Sequence, residues 1–327
     1  MTASVAVVTG GTGFIGWALC ENLRDAGWTV RAVVRPSSSN PLPEGVERWD
    51  APLDTAAMAP ACEDARAVYH LAGLTRARTL DDFLRVNAEG ARQAALASRE
   101  AGAFFVLVSS QAAAGPGTPA QVRTEAHAPA PVCDYGLSKL EGERALPAIE
   151  GLRYAVVRPS GVYGPRDKDF LALFRAAGRG FIPRIGAAAK AYTLIHVDDV
   201  VVALRAVAAA GTGENPAVPG ETFFIGHPVP VSQGQLLSHI AAAVGRRVRQ
   251  VPLPTLLLRL LAELGEAQAV VTGRPALLNR SRLCALTAPG FVCSVEKIAA
   301  AMNWRASVEI QEGLADTARW YRDAGWL

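Results

Sequence analysis

The sequence predicts an α/β protein, a doubly wound parallel sheet with a smaller, helix-rich C-terminal part. Three observations predict it. Short runs of Val, Phe, Leu and Ala alternate with helical stretches through the first half of the 327 residues, as strands buried on both faces and joined by crossover helices require. A glycine-rich turn stands between the first such run and the first helix. After Pro165 the rhythm changes, and the C-terminal third reads as irregular helices.

Residues 4–8 read as the first strand, followed by the turn and a helix through Arg24. Further strands are expected at 29–34, 46–49, 67–71, 104–108 and 154–157, with crossover helices at 82–99 and 137–148. Residues 170–177 read as a short helix, and 193–195 and 222–225 as late strands flanking a helix at 199–210. The composition of 211–220 marks a surface loop. Helices are expected at 232–244, 254–271, 295–302 and 310–324. One domain is thus expected over 1–165 plus about 191–226, and a second over 166–190 plus about 227–327. Along the helix 254–271, Leu253, Leu257, Leu260, Leu261 and Leu264 form a stripe, with Leu256 and Leu258 outside it. Core packing is the first reading of that helix; a pocket wall or a membrane-facing lip are the alternatives.

Half of the residues are apolar and 19% are charged, enough to bury a sizeable core. A net charge of +3 without a basic run of five or more makes neither nucleic acid nor an acidic membrane the expected partner. The five cysteines (Cys20, Cys62, Cys133, Cys284, Cys293) form no CxxC pair. They read as free thiols of a reducing compartment, and no metal site is expected. The N-terminus has no basic region ahead of its apolar run, and the greasy stretch 253–271 carries Arg259, Glu263 and Glu266. Neither a targeting segment nor a membrane span is expected, and the expected location is cytoplasmic.

The strongest local signal is TGGTGFIG at residues 9–16. Gly10, Gly13 and Gly16, with Phe14 and Ile15 between the last two, join a strand to a helix. A pyrophosphate needs backbone N–H groups, no Cβ in the way, and the positive end of a helix dipole. In NAD-selective sites a carboxylate follows the second strand; here that place is Arg35, ahead of Ser37 and Ser38. A guanidinium suits a 2′-phosphate, which predicts NADP, with NAD as the alternative. Asp50, after the third strand, is a candidate for the adenine amino group.

Tyr135 and Lys139 stand four residues apart on an expected helix and share one face. A phenol of pKa ~10 transfers protons poorly near neutrality, and an adjacent ammonium lowers that value. Ser109 and Ser110 end the fifth strand, at the carboxyl edge where ligands of such sheets sit. Ser110 is the candidate to polarise a carbonyl, and Ser109 reads as a strand-end cap.

With YHLAG at 69–73, Asn87-Ala88-Glu89-Gly90, VLVSSQAAAG at 106–115, YGLSK at 135–139, VRPSGVYGPRD at 157–167 and LIHVDDV at 194–200, the chain resembles an extended short-chain dehydrogenase/reductase. This is the superfamily of NAD(P)-dependent sugar epimerases and dehydratases, and the resemblance implies a Rossmann-type fold. It implies a catalytic set of Ser110, Tyr135 and Lys139, with Asn87 supporting the lysine through water. It implies cofactor contacts at Gly10, Gly13, Gly16, Arg35, Asp50, Leu71, Ala72, Lys139, Pro159 and Ser160. It gives His196, Asp198 and Asp199 a structural role. A homodimer is implied through the helices near 83–99 and 137–148.

Departures from the pattern narrow the branch. The 4,6-dehydratases carry Thr-Asp-Glu where this chain has Gln111-Ala112-Ala113 after Ser110, and many nucleotide-sugar epimerases carry an asparagine where it has Ser160-Gly161. The expectation is therefore an NADP-dependent oxidoreductase acting on a secondary alcohol or ketone of a fairly apolar small molecule. Candidate pocket residues are Thr75, Gln111, Ala112, Val162, Phe170 and Tyr192; Cys133, two residues from Tyr135, reads first as a bystander thiol, with the pocket edge as the alternative. The runner-up is a nucleotide-sugar epimerase with tightly bound NAD, using Arg166, Arg184 and Arg274 on a diphosphate. A non-catalytic NADP-sensing scaffold is the third reading, against which the intact Ser/Tyr/Lys set argues.

Overall fold

A computed structural model of the chain describes residues 4–187, 189–213 and 215–327. From the N-terminus, β1 (Val5–Thr9), α1 (Phe14–Asp25), β2 (Thr29–Val34), β3 (Glu47–Asp50), α2 (Thr55–Cys62) and β4 (Ala65–His70) alternate. They are followed by α3 (Leu80–Leu84), a π-turn (Arg85–Glu89), α4 (Gly90–Glu100), β5 (Phe104–Val108), α5 (Gln111–Ala114), α6 (Asp134–Ala145) and β6 (Tyr154–Pro159). The second half contains β7 (Gly161–Tyr163), α7 (Leu171–Gly178), β8 (Phe181–Ile185), β9 (Ala191–Tyr192), β10 (Leu194–His196), α8 (Val197–Thr212) and β11 (Thr222–Ile225). It closes with β12 (Val231–Ser232), α9 (Gln233–Val244), β13 (Arg249–Leu253), α10 (Thr255–Thr272), α11 (Arg280–Thr287), β14 (Gly290–Phe291), α12 (Glu296–Met302) and α13 (Ile310–Asp323).

The main sheet has seven strands in the order β11-β6-β5-β4-β1-β2-β3, every pairing parallel. Its order reverses between β1 and β4, the position at which such sheets open a ligand crevice. Alternate side chains of β1 serve opposite faces. Ala6 and Val8 join Leu19 and Leu23 of α1 and Val200 and Leu204 of α8; Val7 joins Met58 of α2 and Ala91 and Ala94 of α4. Burial on both sides is why the strands read as nearly unbroken apolar runs. A third cluster, with Phe174, Ile182, Leu237, Ile240, Leu314 and Tyr321, gathers the C-terminal elements. The Asp199 carboxylate ties α8 to them by accepting from Ser307 N and Oγ (both 3.0 Å) and Val308 N (2.9 Å).

Four expectations are corrected. The helix expected over 82–99 is broken by the π-turn, inside which Asn87 is buried and bonded to Leu74 and Ser138; one extra residue per turn is the usual cause of such a bulge. The strand expected at 193–195 lies one residue later and pairs with β7, outside the main sheet, while β11 takes the sheet edge beside β6. The loop expected from 211 begins later, because α8 runs to Thr212 with Gly211 buried at its end.

The fourth correction concerns α10. Its stripe of Leu257, Leu260, Leu261 and Leu264 is exposed, and Leu258, which falls outside that stripe, is buried with Ala262 against Leu283 of α11. Periodicity marks an apolar face but not the direction it points, and here the neighbouring element meets the narrower side.

Candidate active site

The turn after β1 is shaped by contacts that only glycine permits. Gly10 has φ +75°, and a Cβ there would stand 2.7 Å from Ala72 N; at Gly16 a Cβ would meet Gly10 O at 2.2 Å. Gly13 caps α1 by position, but no side chain caps that helix. Asp54, Thr79 and Ser232 do cap α2, α3 and α9. The first-turn N–H groups of α1 are thus left for an anion, at the positive end of the helix.

These residues open onto a cleft of about 730 Å³. Gly10, Gly13, Phe14, Ile15 and Gly16 line one end, Leu71 and Gly73 beyond β4 the middle, and Val108, Ser109, Tyr135 and Lys139 the far end. Thr9 Oγ1 accepts from Ala72 N (3.1 Å) and bonds His70 Nδ1 (2.9 Å), holding the β1 and β4 ends together. A bare helix terminus that opens onto this cleft fits a nucleotide cofactor. Arg35 and Asp50 sit exposed at the ends of β2 and β3, outside the cleft lining, and Arg48 holds Asp50 at 2.9 Å. Pro159 and Ser160 are buried and do not line the cleft, and Ser160 Oγ has no partner among the described residues.

Helix α6 begins at Asp134, earlier than the expected 137, so Tyr135 lies in its first turn, below a cap made by Cys133 Sγ to Gly136 N. Burial raises the Tyr135 phenol above its ordinary range, while the Ser110 hydroxyl near it pulls the other way. Ser110 Oγ accepts from Ala112 N (3.1 Å), which leaves its proton free for the phenol or a carbonyl. Burial also pushes Lys139 down, to about 8, against the charge of Glu143, and Lys139 Nζ donates to Val108 O at 2.7 Å. The expected lowering of the phenol by the ammonium is not seen: burial dominates at Tyr135, and its lesser influences are Ser110, Cys133 and Asp169.

Asn87 donates through Nδ2 to Leu74 O (3.0 Å) and Ser138 Oγ (2.9 Å), and accepts from Leu74 N (2.7 Å). It braces the loop beside Lys139 without touching the lysine. Ser109 donates to Glu143, whose carboxylate also takes two bonds from buried Arg158. That places Ser109 in a buried network with α6 rather than in the strand-end cap expected of it.

A second cavity of about 390 Å³ adjoins the first at Tyr135. Thr75, Ala112, Tyr192 and Cys133 line it, as do Phe83, Leu286 and Phe291. Val162 and Phe170 instead pack into core clusters, and Gln111 is buried off the lining with its amide unpartnered among the described residues. Sequence reasoning missed Lys190 in this cavity, pushed down to about 8 by burial and donating to Leu286 O. It also missed Arg282 here and Trp326 in the cofactor cleft. None belongs to a local motif; each arrives from a distant segment. Arg166 lines the cleft with its guanidinium 3.6 Å from the centre of the Trp17 ring. Among the described residues no three His, Cys, Asp or Glu side chains gather as a metal would require, and no helix is long and apolar enough to cross a membrane.

The model of the NAD dependent epimerase/dehydratase family matches residues 6–226. The chain belongs to this family. It is an extended short-chain dehydrogenase/reductase with a Rossmann-type fold, and an NAD(P)-dependent enzyme of oxidoreductase or epimerase type. It is 30% identical over 329 residues to the ceramide reductase of Caulobacter vibrioides, spanning 99% of this chain and 96% of that one. It is 25% identical over 335 residues to the UDP-glucose 4-epimerase of Vibrio cholerae, spanning 97% and 95%. The solved structure of MoeE5 in complex with UDP-glucuronic acid and NAD superposes with a TM-score of 0.77 at 25% identity, covering 98% of this chain and 100% of that one.

Proposed function

We propose that this family member is an NADP-dependent reductase that interconverts a secondary alcohol and a ketone on an apolar small molecule. The observation that carries it is continuity: the uncapped turn at Gly10–Gly16 and the Tyr135/Lys139 pair line one cleft, which opens beside Tyr135 into a cavity walled by Phe83, Leu286 and Phe291. The likeness to a protein named ceramide reductase supports an apolar substrate.

When bound, the nicotinamide supplies or accepts the hydride. The chain's own residues do the rest. The α1 terminus would hold the pyrophosphate, and Arg35 would meet the 2′-phosphate. Tyr135 passes its phenolic proton to the carbonyl oxygen, to which Ser110 donates. Lys139, in its charged form, stabilises the resulting phenolate. Segments 166–190 and 227–327 form the substrate-binding part, and two chains pair through the α3–α4 and α6 faces.

The test is cofactor titration followed by turnover on a panel of apolar ketones. NADPH should bind more tightly than NADH, and Arg35→Asp should reverse the order, a change of about tenfold or more per lost charge-assisted contact. Equal binding of the two cofactors, unaltered by that substitution, would sink the NADP assignment. The epimerase alternative is favoured by the Vibrio cholerae relative and by Arg166 on the cleft wall. Release of tightly held NAD on denaturation, with sugar-nucleotide epimerisation and no ketone turnover, would establish it.

A further inference from the structure

Helix α10 is apolar on the side that faces solvent. Leu256, Leu260, Leu264, Ala267 and Val271 recur at helical spacing in one line along it. The three leucines and Val271 are 56 to 86% exposed, and Leu257, Val270 and Leu277 widen the patch. Only Leu258 and Ala262 of this helix are buried among the described residues. Apolar surface of this extent on one element marks a surface that something covers.

The surrounding charge identifies the cover. Residues 246–282 hold seven arginines and two glutamates, a net +5 in a chain whose total is +3. Both glutamates lie against one cation, Arg280. Among the described residues Arg246, Arg247, Arg249, Arg259 and Arg274 are exposed and meet no carboxylate within 4.0 Å. Arg78 stands beside Gly273 at the far end of the helix. An apolar stripe with one unpaired arginine on its own helix, Arg259, and others in the segments that lead into and out of it is the pattern of a helix that lies in the interface of an anionic bilayer. A second copy would bring +5 against +5, so the face is ill suited to pairing with itself.

The patch also borders the route to the site. A cavity of about 880 Å³ runs from Ala269 and Val270 of α10 to Cys133 and Leu137. It shares Cys133, Ala276, Asn279 and Ser281 with the cavity at Tyr135.

We propose that α10 docks this protein flat on an anionic phospholipid surface, with the cavity mouth at the membrane. Docking is independent of turnover and is read without it. The experiment is cosedimentation of the full chain with vesicles of phosphatidylcholine alone and of phosphatidylcholine with phosphatidylglycerol. The wild type should pellet with the anionic vesicles, less so at high salt. The triple variant Leu256→Glu, Leu260→Glu, Leu264→Glu should lose about tenfold or more of that partition. Its melting temperature and its turnover of a water-soluble ketone should stay unchanged, since the three side chains face solvent. A wild type left in the supernatant of anionic vesicles would overturn the proposal. So would a variant that still pellets equally, or a wild-type dimer that the variant splits without any vesicle binding.

Discussion

A phenol does not pass a proton near neutrality unless its surroundings help it, and those of Tyr135 are divided. Burial raises its pKa, and the Ser110 hydroxyl near it opposes the rise. Removing the hydroxyl removes the proposed proton donor and little else, because the ring still packs beside Phe83. Tyr135→Phe should therefore lower kcat by about 10²- to 10⁴-fold with cofactor affinity unchanged; steady-state kinetics beside a cofactor titration decide it, and full activity in the variant would remove Tyr135 from the mechanism. Lys139 gives a pH signature. Its folded value of about 8 lies below the 10.5 of an unperturbed lysine. Between those values the unfolded chain holds a proton that the folded chain has released, so this group makes stability rise with pH, by at most ~1.4 kcal/mol per pH unit. Lys139→Met abolishes the contribution. Urea-unfolding free energies of the two proteins should diverge in favour of the wild type as pH rises through the window; a constant difference would speak against a buried, easily deprotonated lysine.

At the scale of elements, the glycine turn was legible because its requirements are local. A strand, a bend too tight for side chains, and a bare helix start are all written within Thr9–Gly16. Gly16→Ala would drive a methyl into Gly10 O. Its expected cost is about 1–3 kcal/mol, seen as a lower melting temperature, together with at least about tenfold weaker cofactor binding; a variant that melts and binds like the wild type would show that the turn yields freely. The order of strands through β6 was legible for the same reason; the short helices α2 and α5 between them were not. The break between α3 and α4 was not. The π-turn there is held by Asn87 bonding to Leu74 and Ser138, one of them fifty-one positions away, and no periodicity records such a bond.

At the scale of the whole molecule, distant segments close the cleft that the sheet opens. Trp326 lines the cofactor cleft, stacks on Tyr321 at 6.0 Å and stands edge-on to Trp320 at 5.0 Å, and its carbonyl accepts from Arg175. Trp326→Ala should weaken cofactor binding by on the order of 1 kcal/mol, about fivefold in Kd, with the fold retained; an unchanged Kd would make this residue a bystander. The sequence by itself determined the parallel sheet, the phosphate turn and the candidate Ser110/Tyr135/Lys139 set, because each depends on short-range spacing or on strand ends whose place in a doubly wound sheet is fixed by chain order. Tertiary structure alone decided that Val162 and Phe170 serve the core, that Lys190, Arg282 and Trp326 reach the cavities, and that the leucines of α10 point outward. Spacing defines faces and neighbours along a chain, whereas the direction a face points is set by whichever remote element packs against it.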